Sequence, residues 1–382
     1  MASHPFTRQS ENPANVLEAE PSTSVLFPGE KSLADSGTLH EGTRATLARS
    51  PKPSAVYLMA RHVFDRVYGP REREDLAALV DVSSCFLTPE DWHRHPEVTA
   101  EAEWIFSSWS MPVVNEEFLR AFPRLRAIFY AAGTIKGFAT EAMWGRGITV
   151  TSANAANAVP VAEFTVAQII LSLKSFWRMA REFHRENRVS PREIPTAGVY
   201  NATVGLISLG LIGRLVAEQL QAFQVEVIAY DPYFDPKEAA ELGLELCTLD
   251  EIFSRADVVS CHAPLLKETE GMLRKSHFEQ MKPHATFVNT ARGGLVDEKG
   301  LAEVFSQRPD LTALLDVTSP EPPSAGSPLY TLPNVILTPH IAGSKNWECH
   351  RMARFMVEEA ARFLSGEPLR HAVTQAELRR MA

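Results

Sequence analysis

The chain has 382 residues, enough for two domains with a core each, and its 45% hydrophobic and 22% charged content is that of a folded globular protein. A formal charge of −9 argues against a nucleic-acid-binding surface and supplies no polybasic membrane patch; no apolar run reads as long enough to span a membrane. The four cysteines, Cys85, Cys247, Cys261 and Cys349, are far apart and form no C-x-x-C pair, so they read as reduced thiols of a cytoplasmic protein, and no metal site is expected.

Residues 1–52 are rich in Ser, Thr, Glu, Pro and Ala without sustained periodicity. They lack an apolar stretch after a basic start, and they carry acidic residues such as Glu11, Glu18 and Glu20, so the expectation is a disordered extension rather than a targeting signal. From Ser54 the pattern changes. Short apolar strands are predicted over 55–59, 104–106, 127–130 and 148–151, with helical segments over 75–80 and 118–122 between them. Strands alternating with helices imply a parallel sheet, hence a small α/β domain. A single long apolar helix is predicted over 159–184, of a length to carry the chain between two domains, followed by a loop over 189–200 containing Pro191 and Pro195.

The most informative stretch is residues 204–214. Val204, Leu206 and Ile207 suit a buried strand. Gly210 and Gly213 occupy the last two glycine positions of G-x-G-x-x-G, and Leu211, Ile212, Leu215, Val216 and Leu220 recur at helical spacing. Gly210 would let backbone approach a pyrophosphate, Gly213 would let helix and strand pack closely, and the helix N-terminus offers free amides. Ser208 holds the first glycine position and is expected to fit there with a negative φ. The next strand, over 225–229, ends at Asp231, where a carboxylate can accept hydrogen bonds from a ribose 2′-hydroxyl and repel a 2′-phosphate. These features in this order predict dinucleotide binding, NAD in preference to NADP.

Further strands are predicted over 257–260, 285–289, 312–315 and 335–337, and a last helix over 347–364. Three ionisable residues, Arg292, Glu321 and His340, follow three of these strands. The carboxyl ends of strands in an open α/β sheet line the ligand crevice, so the three should converge. An arginine can hold a carboxylate or keto oxygen with its planar fork, a histidine can protonate a developing alkoxide, and a glutamate can orient that histidine and favour its charged form.

Together, residues 204–214, Tyr230-Asp231-Pro232, Cys261-His262-Ala263-Pro264-Leu265, Asn289-Thr290-Ala291-Arg292-Gly293-Gly294-Leu295-Val296-Asp297, Asp316-Val317 with Glu321-Pro322, and Thr338-Pro339-His340 resemble the D-isomer-specific 2-hydroxyacid dehydrogenases over roughly residues 54–372. The resemblance implies two Rossmann-like parallel-sheet α/β domains, one flavodoxin-like and one doubly wound, with a cleft between them. Residues 53–154 and 346–382 would form the substrate domain and residues 155–345 the inserted dinucleotide-binding domain. It implies Arg292 as substrate ligand, His340 as acid/base and Glu321 as its partner. For cofactor binding it implies Ser208, Gly210, Leu211, Ile212, Gly213, Asp231, Ala263, Pro264, Thr290, Ala291 and Asp316. Trp109, Ser110, Met111, Gly133 and Thr134 would present the substrate carboxylate with backbone amides, and the protein would be a homodimer.

Two departures from the family pattern, besides Ser208, leave the substrate open. Thr318-Ser319 stands where the family often has an aromatic, and Lys136 where it often has an acid or amide. The expected activity is hydride transfer between NAD(H) and a small D-2-hydroxy acid or 2-keto acid of glyoxylate, hydroxypyruvate or phosphoglycerate type. The alternative is an NAD(H)-sensing binding protein or corepressor of the same fold. Formate chemistry on this scaffold pairs the histidine with Gln, whereas this chain has Glu321.

Overall fold

The computed structural model describes residues 51–186 and 195–378. The expected extension over 1–52 falls almost wholly outside these residues, as does the first half, 189–194, of the loop expected over 189–200.

Two parallel sheets carry the fold. The first contains β1 (Ser54–Tyr57), β2 (Asp81–Val82), β3 (Trp104–Ser107), β4 (Ala127–Tyr130) and β5 (Thr149–Ser152) in the order β2-β1-β3-β4-β5. This is the flavodoxin-like order. The second contains β6 (Ala202–Ile207), β7 (Val225–Tyr230), β8 (Glu245–Leu246), β9 (Val258–Cys261), β10 (Thr286–Asn289), β11 (Thr312–Leu315) and β12 (Val335–Leu337) in the order β12-β11-β10-β9-β6-β7-β8. Counted from β6 this is 3-2-1-4-5-6 with one further strand, the doubly wound order. Strands such as β3, β4, β9 and β10 are buried at every residue, because helices cover both faces; that is why they read as apolar runs rather than as alternation.

Five helices matter for the site: α1 (Arg61–Val67), α2 (Asn154–Leu173), α3 (Phe176–Glu186), α4 (Leu211–Leu220) and α5 (Trp347–Ser365). The predicted long helix is in fact two, α2 and α3. Ser175, at φ 51°, adopts a left-handed conformation that ends α2, and the freed Leu173 carbonyl accepts bonds from Gly198 N (3.0 Å) and Thr196 Oγ1 (2.8 Å). No Gly or Pro marks this break in the sequence. A second correction concerns length and apolarity. The 20 residues of α2 are apolar enough to cross a membrane, but over half of that stretch is buried inside the protein, as a core helix is.

The sides of α2 belong to different cores. Ala156, in its first turn, packs with Trp104, Phe106 and Phe129 of the first sheet and with Cys349, Met352 and Met356 of α5. Ala162, Val166, Ile169 and Leu173 pack with β6 and α4 of the second sheet. Asn157 ties this helix to the returning chain, its Oδ1 accepting from Ser344 N at 2.9 Å. After α5, the segment 371–373 pairs with β5: Ser152 N donates to His371 O and Val373 N to Val150 O. The chain thus leaves the first core along α2 and re-enters it along α5.

Candidate active site

The order of the second sheet reverses between β6 and β9, where an open α/β sheet leaves a crevice at its carboxyl edge. The glycine turn after β6 sits there. Gly210 is the N-cap of α4, and a Cβ built on it would meet nothing within 4 Å, so the turn faces open space. A Cβ on Gly213 would collide with the Ser208 carbonyl oxygen, which is the close helix–strand approach expected of that position. Leu211, 43% exposed, begins the helix, and its first amides have no intrahelical acceptors.

Ser208 does not have the negative φ expected of it: φ is 76°. The turn demands the glycine conformation at this position whatever residue fills it, at a cost of about 1–2 kcal/mol for an L-residue. Local hydrogen bonds hold it. Ser208 N donates to Tyr230 O at 2.7 Å and Ser208 Oγ to Asp231 Oδ2 at 3.3 Å. Asp231 also accepts from Leu209 N (2.8 Å) and Tyr233 N (2.9 Å), so its carboxylate is fixed at the end of β7 beside the turn. Arg214, in the same region, is paired with Glu238 and lies over the Phe234 ring at 4.6 Å. Across the crevice, His262 follows β9; it is buried, bonds Ser260 Oγ at 3.0 Å, and burial lowers its pKa to about 4. Ala263 is buried next to it, and the Pro264 carbonyl accepts from Thr269 Oγ1 at 2.6 Å.

Three strands deliver the ionisable residues. After β10, Thr290 Oγ1 meets Thr165 Oγ1 of α2 at 3.0 Å, and Ala291 N donates to Asn289 Oδ1 at 3.0 Å. Arg292 follows, its Nη1 donating to Ala291 O at 2.6 Å. Burial lowers the Arg292 pKa, and the Glu321 carboxylate opposes that shift. Gly293 explains how the Arg292 and Glu321 loops meet, since a Cβ there would collide with the Thr318 backbone. His340 Nδ1 lies 2.7 Å from Glu321 Oε1, with the side chains 49% and 43% exposed, so the pair is formed and open to a reactant.

His340 also has a left-handed backbone, φ 51°. Asp316 holds it there. The Asp316 carbonyl accepts from His340 N (3.0 Å); Asp316 Oδ1 accepts from Thr338 Oγ1 (2.6 Å) and Ile341 N (2.8 Å), and Oδ2 from Ala342 N (2.9 Å). Asp316, expected in the cofactor set, thus spends its carboxylate on the histidine loop. That bracing role was missed in the sequence, because its hydrogen bonds go to backbone amides that no motif displays.

The expected substrate loops follow the adjacent strands β3 and β4. Trp109 carries the Arg66 guanidinium of α1 over its ring at 4.8 Å, Ser110 has φ 76°, and Met111 is buried. Gly133 O accepts from Ser152 Oγ at 2.5 Å, and Thr134 Oγ1 accepts from Lys136 N at 3.4 Å. The open face at Gly210, the amides of α4, the fixed Asp231 carboxylate and the cluster of Arg292, Glu321 and His340 at one sheet edge fit a dinucleotide with a small acid at its reactive end.

Comparison with known proteins agrees. Residues 166–342 match the family described as D-isomer specific 2-hydroxyacid dehydrogenase, NAD binding domain. A D-3-phosphoglycerate dehydrogenase of Mycobacterium tuberculosis is 35% identical over 264 residues, 69% of this chain and 50% of that protein. The chain thus spans about half the length of the curated relatives it matches. Among solved structures, the TT0316 protein of Thermus thermophilus superposes with a TM-score of 0.65 at 27% identity, over 84% of this chain and 100% of the other. An NAD-complexed D-isomer specific 2-hydroxyacid dehydrogenase from Lactobacillus delbrueckii shares the fold, with a TM-score of 0.70 at 24% identity over 84% and 100% of the two chains. Residues 166–342, which contain the whole second sheet, thus belong to the NAD-binding domain of the D-isomer-specific 2-hydroxyacid dehydrogenase family.

Proposed function

We propose that this protein is an NAD-dependent oxidoreductase of small D-2-hydroxy acids and 2-keto acids. The observation that carries this reading is the 2.7 Å contact between His340 Nδ1 and Glu321 Oε1 at the sheet edge that also holds Arg292 and the glycine turn. We assign the substrate domain to residues 53–154 and 346–382, whose described part holds the first core, and dinucleotide binding to residues 155–345.

When bound, the nicotinamide supplies or accepts the hydride. Arg292 holds the carboxylate and keto oxygen of the acid, and partial burial strengthens its hydrogen bonds by excluding water. Amides of the loops at Trp109–Met111 and Gly133–Thr134 hold the carboxylate from the other side. His340 Nε2 gives a proton to the alkoxide oxygen during reduction and takes it back during oxidation. Glu321 fixes the ring through Nδ1 and stabilises the imidazolium, while Asp316 holds the loop. Reduction therefore uses protonated His340, and oxidation uses the neutral ring. The free thiols Cys85, Cys247, Cys261 and Cys349, all pushed up by burial, suit a reducing cytoplasm. A homodimer fits the family expectation.

NADH oxidation by the purified chain with glyoxylate, hydroxypyruvate and pyruvate tests the reading. Turnover that His340→Ala lowers about 10²–10⁴-fold is the expected result. NADH binding without turnover of any 2-keto acid would favour a nucleotide-sensing protein of the same fold.

A further inference from the structure

The His340–Glu321 contact is half-exposed, so burial does not hold it, and the loop that presents Glu321 has to be fixed from behind. That loop is poor in backbone donors. In Thr318-Ser319-Pro320-Glu321-Pro322-Pro323 three of the six residues are proline and carry no amide. One of the amides that remain, Ser319 N, donates to Glu298 Oε1 at 2.5 Å. Glu298 is the first residue of the helix Glu298–Gln307, whose N-cap, Asp297, takes the Gly300 amide at 3.0 Å. Asp297 thus does the capping, which leaves the Glu298 carboxylate to reach across to the loop. Burial pushes the Glu298 carboxyl up and the Ser319 amide opposes that shift, so the amide replaces part of the water the carboxylate has lost.

The same segment carries Arg292. Between Arg292 and Glu298 the chain makes the 3-10 turn Gly293–Leu295, and Leu273 pins it: Leu273 N donates to Leu295 O at 3.0 Å, and Leu273 O accepts from Asp297 N at 2.9 Å. The turn also abuts the Glu321 loop, where the Thr318 backbone leaves no room for a Cβ on Gly293. Two contacts, Gly293 against Thr318 and Glu298 on Ser319, therefore seat the Glu321 loop on the segment that holds Arg292. We infer that Glu298 is a positioning residue: it fixes Ser319 so that Glu321 meets His340 Nδ1 in register with Arg292. It acts through Glu321 and not on a reactant, as Asp316 acts through the His340 loop. This role rests on the reading of His340 and Glu321 as the acid/base pair.

Two measurements on the full chain test it, and the first needs no turnover. Amide hydrogen exchange read by NMR follows Ser319 N–H. That amide should exchange about tenfold or more faster in Glu298→Ala than in the native chain, and stay slow in Glu298→Gln, whose side-chain oxygen can still accept. The second is reduction of glyoxylate, hydroxypyruvate and pyruvate with NADH. In Glu298→Ala kcat should fall about tenfold while KM for the acid stays within about twofold. Glu298→Gln should keep most of the native kcat, and Glu298→Ala should cost little more once Glu321→Gln is present. Equal Ser319 exchange in the native chain and Glu298→Ala would overturn the brace. Faster exchange with native kcat would overturn the positioning role and leave the oxidoreductase reading standing. A loss of kcat just as large in the Glu321→Gln background would be a general structural effect and would overturn it too. If the native chain reduces no 2-keto acid, the oxidoreductase reading falls. The brace is then decided by the exchange result and by a crystal structure of Glu298→Ala, in which the His340–Glu321 contact should open; an unchanged contact would overturn it.

Discussion

Three residues in the site adopt backbone conformations that L-residues disfavour, Ser110 and Ser208 at φ 76° and His340 at φ 51°. At Ser208 the left-handed backbone and the hydroxyl bond to Asp231 act in opposite directions. Ser208→Gly relieves the first and removes the second, so stability should change by less than about 1 kcal/mol and NADH affinity by less than about tenfold. Calorimetric NADH titration and urea unfolding check both. His262 makes a separate prediction. Its folded pKa of about 4 lies below the ordinary value of 6.5, so between these values the unfolded chain binds the proton and the folded chain does not. Stability is therefore lost as pH falls through this window, by about 2 kcal/mol between roughly pH 7.5 and pH 5. Urea unfolding at the two pH values should show that slope in the native chain and a shallower one in His262→Gln.

At the scale of elements, the central strands and the glycine turn after β6 were legible because burial on two faces writes the strands as apolar runs ending in small or ionisable residues. The two strands missed, Asp81–Val82 and Glu245–Leu246, are two-residue edge strands, too short to carry a period. The break at Ser175 was missed for a related reason: a left-handed serine has no sequence signature, and the donors that satisfy Leu173 O come from residues more than twenty positions on. Arg292, Glu321 and His340 could be grouped from strand-end placement alone, whereas the Asp316 brace and the Arg66–Trp109 stack needed coordinates. The glycine turn gives an element-level test. Gly213→Ala forces the α4 backbone away from Ser208 and should cost about 1–3 kcal/mol of stability together with NADH affinity. Gly210→Val meets no protein atom at its Cβ, so it should spare thermal stability while NADH affinity falls tenfold or more, as the side chain enters the space proposed for the pyrophosphate. Normal NADH binding by Gly210→Val would remove the turn from the cofactor site.

For the molecule as a whole, α2 and the return through Ser344 into α5 are the two routes between the cores, joined by the Asn157–Ser344 bond. Closure of one core on the other about these routes would bring the Trp109 loop towards Arg292 and exclude water from the proton transfer. Small-angle scattering should show a smaller radius of gyration with NAD+ and a 2-keto acid than without them; equal radii would count against closure. Cofactor choice is also a property of the assembled crevice. With Asp231 fixed beside the turn and Arg214 taken by Glu238, NADP should be disfavoured by about 1–3 kcal/mol, read as the ratio of kcat/KM for the two cofactors. Hydride transfer to the keto carbon, with His340 supplying the proton, can be followed by incubating the chain with NADH carrying deuterium at both C4 positions and a 2-keto acid it turns over, then resolving the hydroxy acid on a chiral column. The expected product is the D-hydroxy acid with deuterium at its hydroxyl-bearing carbon, formed by the native chain and nearly absent with His340→Ala; unlabelled product, L-product, or equal yield from the His340 variant would overturn this mechanism.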